Sequence, residues 1–153
     1  MQSKIIPFLT FNDQAEAAAA LYTSIFPRSK VTSRTPGPNG TVLSLSFEID
    51  GQKVIALNGG PTFTFAQGFS LFVSCETQAE VDAYWNAFIE SGGTEQPCGW
   101  LKDRFGVSWQ IIPTALPRLL SDPDRGRAGR ALQAMFGMKK LDIAALEAAA
   151  NGA

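Results

Sequence analysis

The stretch Cys98-Gly99-Trp100-Leu101-Lys102-Asp103-Arg104 brings a thiol, an amine and a carboxylate close together. A cysteine attacks as its thiolate, so Cys98 would be a nucleophile if Lys102 or Arg104 lowered its pKa. Asp103 beside Arg104 could act as an acid/base pair, with Lys102 as a further catalytic candidate. Each has a plainer reading: a structural thiol at Cys98, and a solvated charged turn at Asp103 and Arg104 before Gly106. Asn58-Gly59-Gly60 could present backbone N–H groups to an anion, or simply form a loop. One absence narrows the chemistry more than any of these. The chain has no histidine, which excludes Ser-His-Asp and Cys-His nucleophile pairs, HExxH zinc sites and the 2-His-1-carboxylate iron site.

Short strands and helices must position these groups. Ile5 to Phe11 is rich in strand formers, and Asp13 can cap a helix carrying Ala15, Ala18, Leu21, Tyr22 and Ile25. A strand over 31–35 and a Pro-Gly-Pro-Asn-Gly turn lead to the alternating run Thr41 to Ile49. Asp50-Gly51 is a hairpin signal into a strand over 53–58. The order then recurs. Phe69 to Cys75 reads as a strand, Thr77 caps a helix over 78–91 ended by Gly92-Gly93, and strand-like pieces follow at 94–100 and 107–112. Gln14-Ala15-Glu16-Ala17 and Gln78-Ala79-Glu80-Val81 stand 64 residues apart at the same strand-to-helix transition, and the same shift pairs Phe8 with Phe72. A duplicated unit explains this, with modules over 1–61 and 68–113. Residues 114–153 form a helical appendage. There Asp122-Pro123 predicts a helix start running to about Met138, with Leu132, Met135 and Phe136 as its apolar side, and a last helix over 141–149.

Composition bounds the rest. With 45% hydrophobic and 18% charged residues in 153, the chain is in the globular range and large enough to need no disulfide framework. Thirteen basic against fourteen acidic residues give a net charge of −1, which favours neither nucleic acid nor an anionic membrane. Arg125, Arg127 and Arg130 on one helix read as a solvated face. No apolar run is long enough for a membrane span, and two cysteines suit a reduced, cytoplasmic setting.

The double βαβββ order resembles the vicinal oxygen chelate superfamily, the glyoxalase and bleomycin-resistance fold. Four strings resemble its PhnB-like family: Ile5-Ile6-Pro7-Phe8-Leu9-Thr10-Phe11, Ala56-Leu57-Asn58-Gly59-Gly60-Pro61, the run from Cys98 to Gln110, and Met138 to Ile143. Members often carry the description 3-demethylubiquinone-9 3-methyltransferase, although no glycine-rich S-adenosylmethionine turn follows the first strand. The resemblance implies an α+β fold of curved, mainly antiparallel sheets with C-terminal helices, and a homodimer. It also implies four metal-ligand positions, which fall here at Ile6 or Pro7, Ala56, Ser70 or Phe69, and Gln110. Those side chains offer too few donors for a divalent ion, so neither metal nor other cofactor is expected.

A metal-free fold of this kind still implies a cleft. Alternation puts Ala56 and Asn58 on one face, with Ser70 and Phe72 and with Ser108, Gln110 and Ile112. Phe8 and Trp100 could wall it by stacking. The ligand-binding candidates are therefore Phe8, Asn58, Ser70, Phe72, Trp100 and Gln110, unless these residues fill a closed core. The expected function is metal-independent binding of a small, partly apolar molecule. The alternative is a non-metal enzyme using Cys98, Lys102 or Asp103 on the same cleft.

Overall fold

A computed structural model describes residues 3–153. The chain divides into two compact units, one running to Thr64 and the other from Phe65 to Ala153.

The first unit contains β1 (Phe8–Phe11), α1 (Ala15–Ile25), β2 (Lys30–Pro36), β3 (Val42–Ile49) and β4 (Gln52–Asn58). Its sheet has the order β1-β4-β3-β2, with β1 parallel to β4 and the other pairs antiparallel. Asp50 and Gly51 take φ of 48° and 80°, as the expected two-residue hairpin turn requires. Leu9, Phe11, Leu45, Phe47, Val54 and Ala56 are buried, as are Ala15, Ala18, Ala19 and Tyr22 of α1. The small alanines let the helix lie close to the sheet, and the Tyr22 and Phe47 rings meet with centroids 6.2 Å apart. Asp13 does not cap α1. Gln14 holds the cap position without a side-chain bond, and Asn58 Oδ1 accepts from the Ala15 N–H at 2.9 Å instead. The cap comes from a strand distant in sequence, which local spacing does not reveal.

The second unit repeats that order. It contains β5 (Ser70–Cys75), α2 (Gln78–Glu90), β6 (Thr94–Glu95), β7 (Trp100–Lys102) and β8 (Ser108–Pro113), with sheet order β5-β8-β7-β6 and β5 parallel to β8. Thr77 caps α2 as expected, accepting from the Glu80 N–H. Val81, Trp85 and Phe88 of α2 are buried, as are Leu101, Trp109 and Ile111 of the sheet. The Phe88 and Trp109 rings meet tilted by 39° with centroids 4.7 Å apart, and Trp85 Nε1 donates to Glu95 at 2.9 Å. The strand expected over 94–100 is broken. Pro97, Cys98 and Gly99 make a tight turn, with Cys98 and Gly99 both at positive φ.

The tail has three helices rather than two: α3 (Ala115–Leu120), α4 (Arg125–Phe136) and α5 (Ile143–Ala150). Pro117 disguises α3 in the sequence but stands in its first turn, where a missing N–H does no harm. The cap of α4 is Asp124, not Asp122. Asp122 accepts from the Asp124 N–H and pairs with Arg127 at 3.0 Å. The buried side of α4 is Ala128 and Ala131, while Phe136 is exposed, because the tail core is built from Ile112, Leu116, Leu119, Leu141 and Leu146 around small residues. The arginines are largely committed within the chain. Arg125 donates to the Leu120 and Asp122 carbonyls, Arg127 to Asp122 and Asn151, and Arg130 to the last carbonyls of α5.

Two devices fix this tail to the second unit. Gln78 Nε2 donates to the Leu141 carbonyl at 3.0 Å, and its Oε1 accepts from the Ile143 N–H at 2.8 Å. The Cys98 and Gly99 N–H groups donate to the Met138 and Lys139 carbonyls, both at 2.8 Å. Gly99 takes φ of 83°, which favours glycine, and a Cβ there would also press on the Cδ1 ends of Ile112 and Leu141 at 2.9 Å.

Candidate functional site

Each sheet has one face covered by its helix and one that the helix leaves clear. In the second unit, strand pairing arranges the clear face in rows. Phe72, Gln110 and Trp100 stand side by side on β5, β8 and β7. One step along, Ser70, Ser108, Lys102 and Thr94 form the next row. Leu101, Trp109 and Ile111 point the other way, into the core with α2. Gln110 Nε2 donates to Ser70 Oγ at 2.9 Å, which fixes the amide and leaves the serine proton to act as a donor. Phe72 keeps 58% of its surface exposed, so it is not core filling; Ser70, Trp100, Lys102 and Gln110 are half-buried. An apolar wall with a few fixed polar groups is the usual composition of a small-molecule site.

Of the six ligand candidates, the structure thus gathers Ser70, Phe72, Trp100 and Gln110 on one face. Phe8 belongs to the first unit, where it stands 54% exposed on the clear face beside Ile55 and Ser46. Asn58 is engaged elsewhere. Besides capping α1 it donates through Nδ2 to the Val42 carbonyl at 3.0 Å. The pairing of Ala56 with Leu9 and Leu45 turns it toward α1, so Ala56 does not share the clear face. Alternation gives the period of a strand but not which of its faces the helix covers. Lys102 and Thr94 join the face, and Lys102 had been singled out only for catalysis.

The catalytic candidates have structural work. Asp103 is 4% exposed rather than solvated. Its Oδ1 accepts from the Phe105 and Val107 N–H groups at 2.9 and 3.0 Å, and its Oδ2 accepts from Trp109 Nε1 at 2.9 Å. It organises the β7–β8 turn and ties it to a core tryptophan. Arg104 does not pair with it; the guanidinium lies over the Phe105 ring, 4.5 Å from its centroid. Cys98 holds the turn that receives the tail. Cys75 is wholly buried, and burial, then the nearby Glu80 charge, push its thiol up to about 12, which makes it unreactive at neutral pH. The Gly59 and Gly60 N–H groups donate to the Phe11 and Asn12 carbonyls, so they present no anion nest.

The superfamily's metal does not fit these residues. Ala56 offers no donor and faces α1, and the Ser70–Gln110 pair is a neutral hydroxyl and amide bonded to each other. Among the described residues no group of three or more His, Cys, Asp or Glu side chains could hold a metal ion.

A family model described as 3-demethylubiquinone-9 3-methyltransferase matches residues 3–112. The chain belongs to that family. A PhnB protein from Bacillus cereus is 32% identical, with a TM-score of 0.68 over 73% of this chain and 100% of that one. Protein PA1353 from Pseudomonas aeruginosa, 21% identical, has a TM-score of 0.59 over 73% of this chain and 98% of that one. The fosfomycin resistance protein FosX from Listeria monocytogenes, solved with Mn(II) and a dihydroxypropylphosphonic acid, is 17% identical with a TM-score of 0.55, covering 72% and 91%. The latter two likenesses concern the fold alone, which is that of the vicinal oxygen chelate superfamily. No curated protein matches the chain. Among the described residues no helix is long and apolar enough to cross a membrane.

Proposed function

We propose that this PhnB-like chain is a metal-independent binding protein that takes a small, partly apolar molecule on the clear face of its second sheet. The observation that carries the reading is the Phe72–Gln110–Trp100 row. Two aromatic side chains flank an amide held by Ser70, and Phe72 is exposed. A neutral amide and hydroxyl where the superfamily places metal donors support binding without a metal. The enzyme alternative loses ground because Asp103 spends its carboxylate on three N–H donors. Methyl transfer finds no support in the Asn12-Asp13-Gln14 link between β1 and α1, which has no glycine. The protein acts as a homodimer in the cytoplasm, a reading supported by exposed apolar side chains such as Phe69 and Phe136 in the second unit and by two unpaired thiols.

Native mass spectrometry of freshly purified protein tests this reading. A dimer carrying an organic adduct and no metal is expected. A stoichiometric divalent metal would overturn metal independence, and a monomer would overturn the homodimer.

A further inference from the structure

The clear face of the second sheet has an uneven charge. Its strands place one charged side chain there, Lys102, since Glu95 is turned to Trp85. Among the described residues no carboxylate forms an ion pair with Lys102, whereas Lys140, on the same unit, pairs with Asp82 at 3.1 Å. An ammonium on a half-buried face is complementary to an anion, and Ser70, across Ser108 in the same row, has a proton to donate.

The aromatic row sets the body of that anion. Phe72 and Trp100 lie two strands apart, so their backbones are separated by about 9.6 Å. Aromatic rings favour centroid separations of roughly 4.5–7 Å, so one planar ring above Gln110 can touch both walls and gain a ring-to-ring contact with each. The Lys102–Ser70 row is one two-residue step away, about 6.8 Å along the strands. That is within reach of a lysine side chain and the carboxylate of an aromatic acid.

From this arrangement we infer that the ligand is a planar aromatic carboxylate, its ring over Gln110 between Phe72 and Trp100 and its carboxylate on Lys102 and Ser70. The inference rests on the binding function proposed above and adds the ligand's chemical class.

The test is titration of the full chain with 2-naphthoate and with neutral 2-naphthol at pH 7, followed by NMR of the Trp100 indole and Gln110 side-chain amide. Naphthoate is expected to shift both signals and to bind about tenfold more tightly than naphthol, as one charge-assisted contact implies. Lys102→Gln is expected to bring the ratio of naphthoate to naphthol affinity from about ten down to about one. Equal affinities in the wild-type protein, on the same signals, would overturn the anionic class and leave the binding site standing. Signals that move with neither probe would overturn both the class and the site.

Discussion

The two units share one order of elements and diverge on the face their helices leave clear. In the first, the rows are Phe8, Ile55, Ser46 and Ser33, then Thr10, Leu57, Ser44 and Thr35, closed by Lys53, Glu48 and Lys30 with a carboxylate between two amines. In the second, an aromatic pair brackets an amide, and the lone charge is Lys102. Phe8 and Phe72 occupy equivalent positions and are equally half-exposed. One copy keeps a hydroxyl-rich face whose one carboxylate stands between two amines, and the other sets a single amine beside an aromatic pair and an amide. Duplication supplies two equal platforms, and the side chains of a few rows determine which one can bind.

The largest effect should come from the turn that supports the second face. Asp103→Ala strands three N–H donors, two of them buried, and is expected to cost about 3 kcal/mol in urea denaturation. Asp103→Asn should retain part of that, because its Oδ1 still accepts. If Asp103→Asn were fully stable yet abolished an activity of the protein, the catalytic reading of Asp103 would return.

Next is the tail clamp, which distinguishes the two members of the repeated Gln-Ala-Glu motif. Gln78→Leu removes two bonds to the segment before α5 and should cost about 2 kcal/mol, whereas exposed Gln14→Leu should stay within about 0.5 kcal/mol. Equal losses would mean that the clamp contributes nothing.

A smaller effect concerns Cys75. Its thiol is raised from 9.0 to about 12 in the fold, so the unfolded chain loses its proton first. The contribution is fully present below pH 9 and declines as pH rises toward 12, by about 1 kcal/mol at pH 10. Denaturation at pH 8 and pH 10 should show this decline in the wild-type protein and less of it in Cys75→Ala.

Much of this was legible from local pattern. The Asp50-Gly51 hairpin, the Thr77 cap and the repeat of 64 residues each rest on neighbours in sequence, and the fold follows them. What escaped depends on which side chains meet in space, whether far along the chain or across a turn. Asn58 looks like a ligand residue until its amide is seen to cap α1, 43 residues away. Asp103 looks like a solvated charge until Trp109 is found on it. Asp122 and Asp124 both suit a cap, and the pairing of Asp122 with Arg127 decides between them. Lys102 was visible as a charge, but its place in one row with Ser108 and Ser70 required the register of three strands.

The central claim is that the second face, and not the first, holds the ligand. The most direct measurement is native mass spectrometry of Phe72→Leu and Phe8→Leu beside the wild-type protein, reading the fraction of chains that carry an organic adduct. Both positions are half-exposed, so neither change should disturb folding. The account predicts that Phe72→Leu loses the adduct and Phe8→Leu keeps it. Loss in Phe8→Leu with retention in Phe72→Leu would contradict it.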